Sequence, residues 1–248
     1  MQACQPKHYQ EDLVGQALHR LLSSSKYKRE DIWIQTKFTS LDGQDPNRIP
    51  YDRRKNAPDQ VRESIEISRQ NLRIEVIDSL VLHSPMRGGL QATLDVWRAM
   101  EEGVDQGKIQ ILGISNCYDI QFFTQLYNSV KHKPKVLQNR FYSETKWDND
   151  LRAFCLENGI IYQSFWTLTA NPALLGHKCI RQISNKYKVT EEQVLYKFLV
   201  DLGHQPLSGC KSPNHVAEAA SVKDMPRMTD DELLSIKKLI GDKYALSM

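Results

Sequence analysis

Polar side chains of chemically useful types close a series of short β-branched runs in this sequence. Lys37 lies at the end of IWIQTKF (32–38) and His83 ends IDSLVLH (77–83). Ser115 with Asn116 ends IQILGIS (109–115), and Gln138 lies in KVLQNRF (135–141). Tyr9 stands in a polar turn just ahead of a helix start, in MQACQPKHYQEDLVGQAL. A lone Lys or His at a strand end is usually just solvated. A succession of such ends points instead to a shared mouth, because the loops leaving the C-terminal edge of a parallel α/β barrel converge on one site.

A Tyr, a Lys and a His at one mouth suggest proton transfer coupled to carbonyl chemistry. A phenol has an ordinary pKa near 10 and becomes a useful acid near neutrality only if a neighbouring ammonium stabilises the phenolate. Lys37 is the candidate for that task beside Tyr9. A neutral imidazole such as His83 can hold and polarise a carbonyl oxygen by hydrogen bonding.

The elements that would position these groups follow a strand–helix alternation. Two more runs, IIYQSFW (160–166) and QPLSGCK (205–211), bring the strand candidates to six. The segment APDQVRESIEISRQNLR places Val61, Ile65, Ile67 and Leu72 on one apolar stripe, and GGLQATLDVWRAMEEGVDQGK does the same with Leu94, Trp97, Met100 and Val104. Ser212–Pro213 and Asn171–Pro172 read as N-cap and first-turn signals. Alternation without a visible internal boundary argues for one α/β domain over residues 1–248, with a parallel sheet and helical crossovers. The GxGxxG fingerprint of dinucleotide-binding sheets is absent. The stretch TSLDGQDPNRIPYDRRKNAPDQ is too long for a routine connection and reads as a loop over a site or as an inserted segment.

Composition limits the partners. At 248 residues, with 40% hydrophobic and 25% charged residues, the chain is an ordinary globule, and a net charge of +3 argues for no nucleic-acid partner. The short basic run KHKPK reads as a loop. No apolar stretch approaches the roughly 20 residues needed to cross a bilayer, and no signal-peptide core is visible. Five scattered cysteines without CxxC spacing suit reduced thiols, so the cytoplasm is the expected location.

In order along the chain, HYQEDLVGQAL, the TK ending a strand, DSLVLHSP, GISNC, the Gln of VLQNRF, and PLSGCKSPNHVAEA resemble the aldo-keto reductases, the NAD(P)H-dependent (β/α)8 barrel family. The resemblance implies a TIM-barrel type of fold and the reduction of an aldehyde or ketone of a small, specialised metabolite. It implies Tyr9 as proton donor, Lys37 as the group that lowers its pKa, and His83 as the carbonyl-orienting residue. Ser115, Asn116 and Gln138 would hold the nicotinamide carboxamide, and Phe165 would stack on its ring where relatives usually carry Tyr. Leu168 would lie under the pyrophosphate, with Cys210, Lys211, Ser212, His215 and Glu218 around the adenosine of NADP or NAD.

Departures from the family pattern bear on the chemistry. The Asp that completes the family's catalytic set aligns with Met1, and the first strand and most of the second have no counterpart. The expected barrel is therefore incomplete, with open sheet edges that an oligomer could cover. Gly209 and His215 stand where relatives often clasp the adenosine 2′-phosphate with Lys and Arg, which leaves Lys211 as the nearest cation. Ser84 replaces a frequent Trp, so a more open carbonyl-substrate pocket is expected. Two other readings stay open at this point. One is a non-redox isomerase, dehydratase or cyclase that uses Tyr9 and His83, and the other is a catalytically silent partner subunit.

Overall fold

Each of the six β-branched runs carries a strand, with helices between them in the computed structural model, which describes residues 10–24 and 26–244. The chain divides into two compact units, residues 1–136 and 137–248. The first unit runs α1 (Glu11–Ser23), β1 (Gln35–Phe38), α2 (Ala57–Leu72), β2 (Ile77–Leu82), α3 (Gly89–Asp105), β3 (Ile109–Ser115) and α4 (Ile120–Ser129). Its strands pair in the order β1-β2-β3, all parallel, with Lys37 opposite Val81 and Val81 opposite Gly113.

That register sorts the side chains by chemistry, because alternate residues of a strand share a face. Gln35, Lys37, Ser79, Val81 and Gly113 lie on one face, while Thr36, Phe38, Leu80, Leu82, Leu112 and Ile114 lie on the other. The second face meets the helices. The predicted stripes supply its cover, with Val61, Ile65 and Leu72 of α2 and Leu94, Trp97 and Met100 of α3 all buried. Helix α2 starts where Asn56 accepts a hydrogen bond from Asp59 N (2.9 Å), with Pro58 in its first turn.

Helix α1 is fastened to this layer by one carboxylate. Buried Glu11 accepts hydrogen bonds from the hydroxyls of Thr36 and Ser68 and from Asn71 Nδ2, so it ties α1 to β1 and to α2. Burial pushes its pKa up, against the pull of these donors. Gly15, one turn further on, lets the helices approach closely: a Cβ there would lie 2.0 Å from the Asn71 carbonyl oxygen.

The second unit holds β4 (Val136–Arg140), whose first residue closes the first unit, then α5 (Asn149–Glu157), β5 (Ile161–Phe165), α6 (Pro172–Leu175), α7 (Lys178–Tyr187), α8 (Glu191–Asp201), β6 (Gln205–Pro206), α9 (Pro213–Ser221) and α10 (Asp230–Leu239). Its strands follow in the order β4-β5-β6, with Gln163 of β5 opposite Gln205 of the parallel β6. An apolar cluster including Ile180, Val194, Phe198, Leu233 and Ile236 joins α7, α8 and α10. Beside it lies a buried polar group. Asp148 Oδ2 accepts from Asn139 Nδ2 (2.8 Å) and from the Tyr162 hydroxyl (3.0 Å), while Arg152 bonds His204 Nε2 and Asp242. Asp148 is delivered by a turn in which Lys146, Trp147 and Asp148 all take left-handed backbone angles. Such angles are costly for residues with a Cβ. The turn is held by Trp147 N donating to Tyr142 O (2.9 Å) and Trp147 Nε1 donating to Asn171 Oδ1 (2.7 Å).

Several sequence expectations change in detail. The first run yields strand only from Gln35, because Ile34 N donates to the Asp78 carboxylate (2.6 Å) instead of to a ladder partner. The last run, expected over 205–211, forms a two-residue strand and then a loop from Leu207 onward. Neither Ser212 nor Asn171 caps its helix with its side chain. The Asn171 amide serves the Phe141 and Thr167 carbonyls and its oxygen serves Trp147, so its polar atoms are committed elsewhere. The long 39–60 connection is not a bare insertion: it packs Gln44 and Tyr51 into the interior of the first unit.

Two outcomes follow from these contacts. Gly15→Ala should destabilise the protein by about 1–3 kcal/mol in urea denaturation, since overpacking outweighs the ~1 kcal/mol alanine gains in helix propensity. Burial raises the Asp148 pKa to about 6, against an unfolded value near 3.9. A raised carboxyl pKa means the folded protein holds the proton more tightly. The Asp148 contribution is therefore intact below the unfolded pKa and is lost as pH rises through about 6. The stability of Asp148→Asn relative to the parent should rise by a few kcal/mol between about pH 4 and pH 7, measured by denaturation at each pH.

Candidate active site

The first unit brings together most of the residues that the strand ends singled out. Lys37 is buried on β1, opposite Val81, and His83 follows Val81 by two residues on the same face. The parallel ladder continues one step past β2, because His83 N donates to Phe38 O (2.9 Å). His83 therefore stands beside Thr39, and its Nδ1 lies 2.8 Å from Thr39 Oγ1. On the other side the chain leaves β3 through Ser115 and Asn116. Asn116 takes a left-handed conformation (φ 52°), which Asn tolerates better than most residues, and that turn brings its Nδ2 to donate to His83 O (2.8 Å). Asn116 Nδ2 also donates to Ser115 Oγ (3.3 Å), and the Tyr118 hydroxyl donates to Asn116 Oδ1 (3.2 Å).

His83 is thus held at its backbone N–H, its carbonyl and its ring. The strand end next to it is held as well. Thr39 O accepts from the Tyr51 hydroxyl (2.6 Å) and from Gln44 Nε2 (3.2 Å), both from the long loop. The Tyr51 ring packs on Phe38 with centroids 5.7 Å apart. Burial pushes the Tyr51 phenol up to about 12, so it remains a donor throughout the neutral range. The long loop, expected to lie over a site, braces the end of β1 beside His83.

Tyr9, the expected proton donor, lies outside the described residues. Glu11, two positions later, fixes where the helix following it begins. Ser84, the residue after His83, is half-buried.

The second unit positions the remaining candidates. Gln138 is buried on β4, and its Nε2 donates to Gln163 Oε1 (2.7 Å), whose own Nε2 donates to Gln205 Oε1 (2.7 Å). Three strands are thereby linked by a ladder of side-chain amides. Phe165 closes β5 half-buried, with its carbonyl accepting from Phe141 N (3.1 Å). Trp166 follows it in a left-handed conformation, exposed, with the Arg140 guanidinium 4.2 Å from its ring centre. Leu168 packs against the apolar cluster of α7, α8 and α10. Cys210 is half-buried with Sγ 2.7 Å from Ser208 Oγ, and Lys211 and His215 are exposed. Ser212 sits at the N-cap of α9 with its hydroxyl not engaged in capping. Glu218 lies on the same helix, and its carbonyl accepts from Gln193 Nε2 (3.1 Å). No disulfide engages Cys117, Cys155, Cys179 or Cys210, and no helix among the described residues is long and apolar enough to cross a membrane.

Sequence reasoning missed Thr39, Gln44, Tyr51, Tyr118 and Gln163. Thr39 was within reach of it, since it stands two residues after Lys37 and shares that face. The others come from loops or other strands, and nothing in their local spacing marks them.

The family profile described as "Aldo/keto reductase family" matches residues 6–240. An NAD(P)H-dependent D-xylose reductase of Kluyveromyces lactis is 25% identical, over 91% of this chain and 76% of that protein. An uncharacterised oxidoreductase of Saccharomyces cerevisiae is 30% identical, over 80% of this chain and 66% of its own length. Among solved structures, a silkworm (Bombyx mori) aldo-keto reductase superposes with a TM-score of 0.79 at 20% identity, covering 100% of this chain and 75% of the other. A second Bombyx mori aldo-keto reductase, in complex with NADP, gives 0.78 at 22% identity, over 96% and 77% of the two chains. The likeness places the fold in the (β/α)8 class.

Removing the Tyr51 hydroxyl should loosen the strand end beside His83. Tyr51→Phe leaves the Thr39 carbonyl with one donor instead of two and should cost about 1 kcal/mol in thermal or urea unfolding. Amide hydrogen exchange should quicken at residues 39–44 and not in α3.

Proposed function

Because the chain belongs to the aldo/keto reductase family, we propose that it is an NAD(P)H-dependent oxidoreductase that reduces the carbonyl group of a small aldehyde or ketone. The observation that carries this reading is Lys37 and His83 on one face of the β1–β2 pair, with the His83 ring and both its backbone polar groups held. The relatives' names, and NADP in one of the solved neighbours, support the same class of chemistry.

The residues present suit the cofactor. A nicotinamide carboxamide offers one carbonyl acceptor and two N–H donors. Ser115 supplies a buried hydroxyl, and Asn116 and Gln138 supply side-chain amides of both polarities. Asn116 Nδ2 is engaged with His83 O and Ser115 Oγ, so its Oδ1, which accepts from the Tyr118 hydroxyl and has a second lone pair, is the atom that would accept from the carboxamide. The half-buried Phe165 offers an aromatic face for the ring, and Leu168 would lie under the pyrophosphate. Lys211, Ser212 and the first turn of α9 offer a cation, a hydroxyl and backbone N–H groups to the adenosine end, with Cys210, His215 and Glu218 beside them in sequence. With Gly209 and His215 where relatives carry the 2′-phosphate cations, Lys211 is the nearest cation, and the cofactor is NADPH or NADH. When bound, the nucleotide supplies the hydride.

The chain's own residues then handle the oxygen and the proton. His83 donates a hydrogen bond to the substrate carbonyl oxygen and makes its carbon a better hydride acceptor. Tyr9 delivers the proton to that oxygen, and the Lys37 ammonium makes the phenol acidic enough to do so near neutrality. Ser84, which has little bulk, leaves room for a substituted carbonyl compound.

The test is direct. NADPH or NADH added up to about 1 mM, the top of the usual KM range, should quench the fluorescence of the four Trp, and an aromatic aldehyde should then consume the reduced nucleotide at 340 nm. His83→Gln should lower kcat about 100-fold or more while nucleotide affinity stays unchanged. Absence of any nucleotide-dependent signal with either cofactor rejects this reading. Product formed equally well without nucleotide would point instead to acid–base chemistry by Tyr9 and His83 alone.

A further inference from the structure

We propose that Thr39 is a positioning residue that fixes both the tautomer and the orientation of the His83 ring. The catalytic arm of this inference rests on the carbonyl-reductase reading above, whereas the tautomer does not. Thr39 Oγ1 lies 2.8 Å from His83 Nδ1, and Thr39 is only 2% exposed. Either atom could carry the proton between them, so the other partners of the hydroxyl decide. Nδ1 is the sole hydrogen-bond partner of this hydroxyl among the described residues. If Nδ1–H were the donor, the threonine O–H would be buried without an acceptor, at a cost of about 1–3 kcal/mol. If the hydroxyl donates to the Nδ1 lone pair, both groups are satisfied, and the imidazole proton resides on Nε2.

The consequence is chemical. A neutral ring of this tautomer presents Nε2–H, a donor, to a carbonyl oxygen. The opposite tautomer would present a lone pair and repel it. The hydroxyl also prevents the ring from rotating about its χ2 bond, because a rotation would exchange Nδ1 for a carbon. Thr39 can do this because its own backbone is fixed. Its carbonyl accepts from Tyr51 and Gln44, and its strand neighbour Phe38 accepts from His83 N. The long loop, the end of β1 and the residue after β2 therefore form one support for a single ring.

Long-range proton–nitrogen NMR reads histidine tautomers directly. With seven His in the chain, the His83 signals are assigned by their loss in His83→Gln. In the parent protein above the pH of imidazole protonation, His83 should show the Nε2–H pattern. Thr39→Val keeps the side chain's size and removes the hydroxyl. It should give a mixed-tautomer pattern and lower kcat about tenfold, the equivalent of one ordinary hydrogen bond, with KM for NADPH unchanged. Thr39→Ser should restore both the pattern and kcat to within about twofold. An Nδ1–H pattern in the parent protein overturns the proposal, and so does a Thr39→Val protein with the parent's pattern and kcat. Should Thr39→Val fail to fold, the parent and Thr39→Ser spectra still decide, because Thr39→Ser must keep the Nε2–H pattern. A parent protein that turns over no carbonyl compound would count against the reductase reading, while the spectra would still settle the tautomer.

Discussion

The parallel register of β1 on β2 is the constraint from which the first unit's chemistry follows. Placing Lys37 opposite Val81 puts Lys37 and His83 on one face, and the bond from His83 N to Phe38 O carries the ladder one residue beyond the strand. A one-residue slip would turn every side chain to the opposite face, sending Lys37 toward the helices and Phe38 toward the polar face. The slip is resisted from behind. Phe38, Leu80, Leu82 and Ile114 are fully buried under α2 and α3, and they would all have to surrender that burial together.

Around this register, polar anchors do what apolar packing alone cannot, because they fix rotation and position at single atoms. Glu11 fastens α1 to β1 and α2 through three donors at once, so the helix that follows Tyr9 has a defined start relative to the strand that carries Lys37. Asp78 plays the equivalent part at the opposite end of β2. It accepts from Ile34 N, Arg29 and Gln110, and so sets where β1 begins. Arg29 and Asp78 also form an ion pair at 2.7 Å, with the carboxylate well shielded from water. Such an isolated pair adds little net stability, but it defines position well.

The second unit uses the same device on a larger scale. The amide ladder from Gln138 through Gln163 to Gln205 links its three strands through side chains, tying their register at named atoms. Asp148, Tyr162, Asn139, Arg152, His204 and Asp242 form a second buried polar group between strands and helices. Burial, with Arg152 and Lys237 nearby, holds the His204 pKa well below its ordinary value. Its Nδ1 is among the buried atoms without a hydrogen-bond partner, so a neutral ring there avoids a second unmet donor.

How much of this was legible beforehand depended on the range of the interaction. The six β-branched runs, the α2 and α3 stripes, and the strand-end positions of Lys37, His83, Ser115, Asn116 and Gln138 follow from periodicity, because alternation and helical spacing are properties of neighbouring residues. The ordered motifs also gave the family, since each stands where a strand or turn needs it. Spacing could not show that Asn171 would leave its capping role to serve Phe141 and Thr167, or that QPLSGCK would pair over only two residues. Nor could it show that Tyr51 and Gln44, from a stretch that read as a loop, would brace Thr39 against His83. Those outcomes depend on which buried polar groups compete for which partners. That competition is settled only when strands distant in sequence lie side by side, so tertiary structure alone decided the surroundings of a histidine that the sequence had already marked.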